Sequence, residues 1–399
     1  MKHTLAGLPL RLAAALSLTL LAASCATAPR NGVPQALADA ATVEGYQDIR
    51  FWGDAEPQRL DELAATALAQ RKAHSRDITR EKFLALSGGG SDGAFGAGLL
   101  AGWTAHGDRP EFDLVTGIST GAIIAPFAFL GPRYDGWLEQ FYTAYGTDDL
   151  LQFSFIAGIF GGGGVADSAP LEKLIARFVT QAFLEEIAGE YRKGRRLLVG
   201  TTNFDAQRPV VWDLSAIAAS GRPGSLDLFR RIMLASASVP LIFPPVRLDV
   251  IADGKRYQEM HVDGSITAPV FFLPPQIRLG SVDKKFNIAP SRELYVIRNG
   301  KVDPLYLTVQ DDLISLTNRA FLTLSKGQAA GELLRLCLAA RRDNVTFRLA
   351  HIPADFSAQS QELFDRNYMT RLFRAGAGLG QKGTAWHESP ALCAIDSRP

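Results

Sequence analysis

Gly117-Ile118-Ser119-Thr120-Gly121 is the stretch on which the fold turns. Glu111 to Thr116 before it reads as the end of a strand, and Ala122 to Ala128 after it as an apolar helix. A serine on such a strand–turn–helix is the pattern of a nucleophile elbow, which exposes a hydroxyl at the edge of a sheet. The two glycines let strand and helix approach closely and let the serine take a strained turn. Ser119 then stands at a helix N-terminus, where free N–H groups and the helix dipole favour negative charge.

Two further pieces fit the same chemistry. Phe83-Leu84-Ala85-Leu86-Ser87 reads as a short buried strand, followed at once by Gly88-Gly89-Gly90 and then by Gly93 at the start of a small-residue, apolar helix. Consecutive glycines free backbone N–H groups to converge on one point, as an oxyanion site requires. The N–H of Thr120, just after the serine, would add another donor. Gly88, Gly90 and Gly93 also satisfy the G-x-G-x-x-G pattern of dinucleotide folds. That reading wants an acidic residue ending the second strand; Asp113 instead begins a strand and leads into the serine turn, so it is disfavoured. Far downstream, Gln258 to Val262 reads as a strand ending in Asp263-Gly264-Ser265. Open α/β sheets place their sites at such strand ends. Asp263 is a candidate base for Ser119, although an Asp-Gly turn is common in itself.

Taken in order, these motifs resemble the patatin-like phospholipases, a family of serine lipid acyl hydrolases. Ala235-Ser236-Ala237-Ser238-Val239-Pro240, with Phe243-Pro244-Pro245-Val246, resembles the proline-rich connection ahead of that family's aspartate. The resemblance covers roughly residues 81–300. It implies a three-layer α/β/α fold with a mainly parallel central sheet, here with a C-terminal helical extension. It implies Ser119 as nucleophile, Asp263 as base, and amides of Gly89, Gly90 and Thr120 as the oxyanion site, with Gly88, Gly93, Gly117, Gly121 and Gly264 as motif glycines. No metal or cofactor is implied. Two positions depart from the pattern. Asp92 stands where the family commonly has Arg or Lys, and a carboxylate there opposes a developing oxyanion unless it faces away and caps the next helix. Ser265 follows the Asp-Gly pair where Gly or Ala is usual.

The chain has 399 residues, 47% hydrophobic and 21% charged, with a net charge of +1. This is ordinary globular usage and gives no reason to expect a nucleic-acid partner. Met1-Lys2-His3 and Arg11 precede the uncharged apolar run Leu12 to Ala23, which is short for a membrane span. Leu21-Ala22-Ala23-Ser24-Cys25 resembles a bacterial lipobox, so residues 1–24 are expected to be a signal peptide and Cys25 a lipidated anchor in the cell envelope. Cleavage after Ala26-Thr27-Ala28, giving a secreted periplasmic protein, is the alternative. Of the other cysteines, Cys337 lies on an apolar helical face, where a buried free thiol is at least as well accommodated as a disulfide to Cys393. No Cys/His spacing suggests a metal.

Residues 25–80 are expected to be a tether (26–50) followed by a helix over 55–74 with Leu60, Leu63, Ala64 and Leu68 on one face. The hydrolase unit follows over 81–300 and a mostly helical extension over 301–399. Within these, Ser168–Phe183 reads as a helix with Leu171, Leu174, Ile175 and Phe178 buried. Gly161 to Gly164 reads as a loop rather than a lid hinge, and apolar Phe153 to Phe160 as core rather than a lipid contact. Strands are expected at Arg196–Thr201, Pro209–Asp213, Glu293–Arg298 and Val345–His351, and helices at about 309–341 and 361–375. His351 and His387 are late enough for a Ser-His-Asp triad, but neither sits in a strand-end turn with a partner. The expected activity is hydrolysis of fatty acyl esters, of phospholipids in particular. The alternatives are an inactive lipid-binding or scaffold protein, motivated by Asp92, and a Ser-His-Asp esterase.

Overall fold

The computed structural model describes residues 30–153, 166–304, 306, 308–388 and 393. Cys25, Gly161 to Gly164 and the apolar run after Phe153 lie outside the described residues. The strands that pair around the serine turn are β1 (Arg50–Trp52), β2 (Arg80–Leu86), β3 (Leu114–Ile118), β4 (Arg196–Asn203), β5 (Arg208–Asp213), β6 (Val246–Ala252), β7 (Lys255–Asp263), β8 (Ser291–Arg298) and β9 (Val345–His351). They form one nine-stranded sheet in the order β1-β5-β4-β3-β2-β8-β9, with β7 pairing β4 and β6 pairing β7. The five strands β4-β3-β2-β8-β9 are mutually parallel.

Strands buried on both faces should read as continuous apolar runs, and the buried half of β2, Phe83 to Leu86, does. In β2, Leu84 and Leu86 enter one core, while Phe83 and Ala85 enter a second on the opposite face. The first core is roofed by α2 (Gly93–His106), α3 (Thr120–Leu130), α4 (Asp135–Thr143), α5 (Ala169–Phe178), α6 (Gln181–Arg192), α7 (Ser225–Ser236) and α9 (Arg366–Lys382). The second is covered by α8 (Leu313–Arg342), through Leu333, Leu336, Cys337 and Ala340. The result is an α/β/α sandwich around a mostly parallel sheet, the expected class. Helices α2 and α9 cross closely: a Cβ on Gly98 would lie 2.0 Å from the Phe373 carbonyl oxygen.

Two local expectations differ from what forms. The helix expected over 168–183 breaks after Phe178, because Thr180 caps a new helix by accepting the Phe183 N–H at 3.2 Å; Leu171, Leu174, Ile175 and Phe178 are buried as expected. The segment read as a tether is docked from Arg30 onward. Its Thr42 N–H donates to Ile251 O at 3.0 Å and the Ile251 N–H donates back at 2.8 Å. β1 pairs with β5, and Arg50 forms an ion pair with buried Glu259. Backbone pairing of this kind leaves no hydropathy signature. In the C-terminal part, β9 joins the sheet beside β8 over seven residue pairs, so the two expected helices flank an integral edge strand.

Cys337 and Cys393 form a disulfide, a pairing that the sequence left open. Both are buried, at 3% and 2% exposure. The bond ties α8 to the chain terminus across 56 residues. Removing it by Cys393→Ser is expected to cost about 2–4 kcal/mol. This would be read as a lower urea midpoint than the oxidised native protein, with no difference once both are fully reduced.

Candidate active site

The serine turn is built by sterics. Ser119 has φ +54 and ψ −123, a left-handed backbone that a non-glycine residue adopts only when its surroundings enforce it. Those surroundings leave no room on either side. A Cβ on Gly117 would lie 2.4 Å from Gly121 O, and one on Gly121 would lie 2.3 Å from Leu86 O. The Ser119 N–H donates to Ser236 Oγ at 3.0 Å, and that hydroxyl donates to Gly200 O at 2.7 Å. Ser119 forms the N-terminal boundary of α3, and its carbonyl accepts the Ala122 N–H at 2.9 Å.

Asp263 reaches the same point by register. Along one edge of β4, β3 pairs up to Ile118↔Gly200. From the next residue that edge is taken by β7, at Thr201↔Asp263. Strand β4 is therefore a splint on which Ser119 leaves and Asp263 arrives at adjacent positions. Backbone anchors fix the aspartate: its N–H donates to Ser238 O at 2.9 Å, and its carbonyl accepts Thr202 Oγ1 at 3.0 Å. The segment Ala235–Pro240 thus holds both residues, Ser119 through Ser236 and Asp263 through Ser238.

Electrostatically the carboxyl is unusual. It is 1% exposed. Oδ1 accepts the Ser265 N–H at 2.7 Å, whereas Oδ2 is buried with no hydrogen-bond partner among the described residues. Burial pushes its pKa up from 3.8 to about 6, opposed by the Ser119 hydroxyl and by Ser265. No hydrogen bond closes between the Ser119 hydroxyl and the carboxyl, and Oδ2 is left unpaired. Ser265 also faces this space: a Cβ on Gly88 would lie 2.3 Å from its Oγ and 3.2 Å from Ser119 Cβ.

The triple glycine lies at the same edge. Gly88 is buried, and its N–H donates to Pro269 O at 2.9 Å. Gly89 and Gly90 are exposed, and Gly90 has φ +57. Thr120, at the first turn of α3, hydrogen-bonds through Oγ1 with the buried Tyr142 hydroxyl, whose pKa burial raises. Asp92 does not cap α2. Its Oδ1 accepts the Tyr368 hydroxyl at 2.6 Å, and burial raises its pKa. A polar cleft of about 490 Å³, lined by residues including Gln359, Glu362, Tyr368 and Arg371, adjoins the glycine loop through Tyr368 but does not include Ser119 or Asp263.

The histidines are engaged elsewhere. His261 is fully buried, with Nε2 3.0 Å from Glu259 Oε2 and Nδ1 2.9 Å from Thr201 Oγ1. Burial lowers its pKa against the pull of Glu259. Burial also works against ionisation of Glu259, but hydrogen bonds from His261 and Arg50 hold it down at about 2. His351 and His387 stack on each other with ring centroids 5.2 Å apart, and His351 Nδ1 lies 3.0 Å from Ile352 O. Among the described residues no cluster of His, Cys, Asp or Glu is placed to hold a metal ion.

Sequence reasoning did not single out Ser236 Oγ, Arg298 or Asn299, which brace the two turns. Ser236 stood in a motif but had no role. Arg298 and Asn299 end β8, a strand with no motif of its own.

Compared with known proteins, residues 84–274 match the family model of the patatin-like phospholipases. No curated protein matches the chain. Among solved structures, the crystal structure of VipD from Legionella pneumophila aligns at 13% identity with a TM-score of 0.32, covering 77% of this chain and 67% of that one.

Proposed function

We propose that the protein is a lipid acyl hydrolase that cleaves fatty acyl esters of phospholipids through Ser119 and Asp263, a reading supported by the match of residues 84–274 to the patatin-like phospholipase family model. Asp263 takes the Ser119 proton as Oγ attacks the ester carbonyl. The N–H groups of Gly89, Gly90 and Thr120 hold the oxyanion, the alcohol leaves, and water releases the fatty acid from the acyl-enzyme. The observation that carries this reading is the buried, unpaired Oδ2 of Asp263 beside a serine held in a strained turn. Histidine has no part in it, since His351 and His387 contact each other and His261 is bonded to Glu259 and Thr201.

Asp92 motivates a scaffold reading without chemistry, but its carboxylate is bound by Tyr368. Anchoring belongs to the same proposal. A lipid on Cys25 would hold the hydrolase at the bilayer of the cell envelope.

A fluorophosphonate probe tests the reading. Stoichiometric labelling at Ser119 is expected, and none under several detergent conditions would sink it. The pH profile follows from the aspartate. As an acid raised to about 6, Asp263 is protonated below that pH and cannot accept the serine proton. The labelling rate is expected to climb through about pH 6 and level off above. A profile flat from pH 5 to 8 would contradict Asp263 as the base.

A further inference from the structure

The glycine loop, Ser87 to Gly93, contains no Lys or Arg. The structure supplies one from another strand. β8 runs parallel to β2, with Ile297 opposite Leu86, and the Ser87 N–H donates to Ile297 O at 3.0 Å. The next residue is Arg298. Its Nη1 donates to Gly88 O at 2.9 Å and to Ser87 Oγ at 3.1 Å. Ser87 Oγ donates to the same Gly88 carbonyl at 2.7 Å. Asn299 completes the brace: its N–H donates to Ser87 Oγ at 2.8 Å, its Nδ2 to Ser87 O at 2.8 Å, and its Oδ1 accepts the Gly96 N–H at 3.1 Å.

The Gly88 carbonyl and the Gly89 N–H belong to one trans peptide, so they point in opposite directions. Whatever pins the carbonyl aims the N–H. A cation donating to that carbonyl also polarises the amide, making its N–H a stronger donor. Resting on the Ser119–Asp263 reading, we infer that Arg298 is a positioning residue for ester cleavage: it fixes and polarises the Gly88–Gly89 peptide so that the Gly89 N–H meets the developing oxyanion. Asp92 itself is bound by the Tyr368 hydroxyl of α9.

Loss of an interaction that matters only as negative charge develops lowers kcat and leaves ground-state binding alone. Hydrolysis of 4-nitrophenyl butanoate by the full chain separates these effects. Arg298→Met is expected to lose about ten- to a hundredfold in kcat, less than deletion of a direct donor, with KM within about twofold of native. Arg298→Lys, which keeps the charge and a donor, should recover most of that loss. If Arg298→Met does not fold, Arg298→Gln, which keeps a donor and drops the charge, is judged by the same split. A folded Met or Gln variant with native kcat, or a loss that appears in KM, overturns the inference. So does a Lys variant no better than Met. The Ser119→Ala control tells the two failures apart. Turnover that survives Ser119→Ala overturns the dyad and this assignment with it, whereas a live Ser119 indifferent to Arg298 overturns this assignment alone.

Discussion

Ser119→Ala is expected to abolish turnover, by about 10⁴-fold or more, and to remove fluorophosphonate labelling altogether. The change deletes one buried hydroxyl and little else. Alanine keeps the Cβ, and the backbone N–H still donates to Ser236. The strained φ of +54 is enforced by the contacts of Gly117 and Gly121 rather than by the serine side chain. The fold should therefore survive with an unfolding midpoint close to native. A nucleophile is irreplaceable in a way that a donor is not: the first covalent step has no other atom to proceed from. Residual hydrolysis above a tenth of native in this variant would show that the reacting oxygen lies elsewhere.

Asp263→Asn is expected to cost about 10³-fold in turnover, within the contribution of a positioned general base, while making the protein more stable. The two effects share one cause. The carboxyl is fully buried with an unpaired oxygen, and burial raises its pKa from 3.8 to about 6. The sign is that of an acid raised by folding. The folded state holds the proton more tightly than the unfolded chain, so stability falls as pH rises from about 4 to about 6 and stays reduced above. That rise corresponds to a loss of about 3 kcal/mol at pH 8. Asparagine is neutral at every pH, retains an oxygen for the Ser265 N–H, and should recover a good part of it. Urea unfolding at pH 8 together with ester hydrolysis reads both effects. An Asn variant that is inactive because it is unfolded would contradict the account, as would one that is active. His351→Ala and His387→Ala serve as controls and should retain most activity, because these rings touch each other and not Ser119 or Asp263. A histidine variant as damaged as Asp263→Asn would restore the triad reading.

Much of this is legible in the chain because its signals are local. A serine between glycines after an apolar strand implies an elbow, since only glycine tolerates a backbone carbonyl about 2.3 Å from its missing Cβ. The Phe83–Ser87 and Gln258–Val262 strands are apolar or end in punctuation, so their limits show. Docking of residues 30–52 is not legible, because it rests on backbone pairing to Ile251 and β5 and on ion pairs between residues far apart in sequence, such as Arg30 with Asp205 and Arg50 with Glu259. The Cys337–Cys393 bond is illegible for a related reason: an apolar face around Cys337 suits a thiol and a disulfide equally. Arg298 and Asn299 carry no motif, and their importance comes from which strand lies beside β2.

By itself, then, the sequence determined the turn at Ser119, the glycine loop and the Asp263 strand end, since each follows from side-chain volume and periodicity within a few residues, while the layered α/β class was implied by the family those motifs resemble. Only the tertiary structure decided that β4 hands its edge from β3 to β7 between Gly200 and Thr201, and that β8 delivers a guanidinium to the Gly88 carbonyl. Strand order and register are settled by the packing of the whole sheet, and no short stretch of chain contains them.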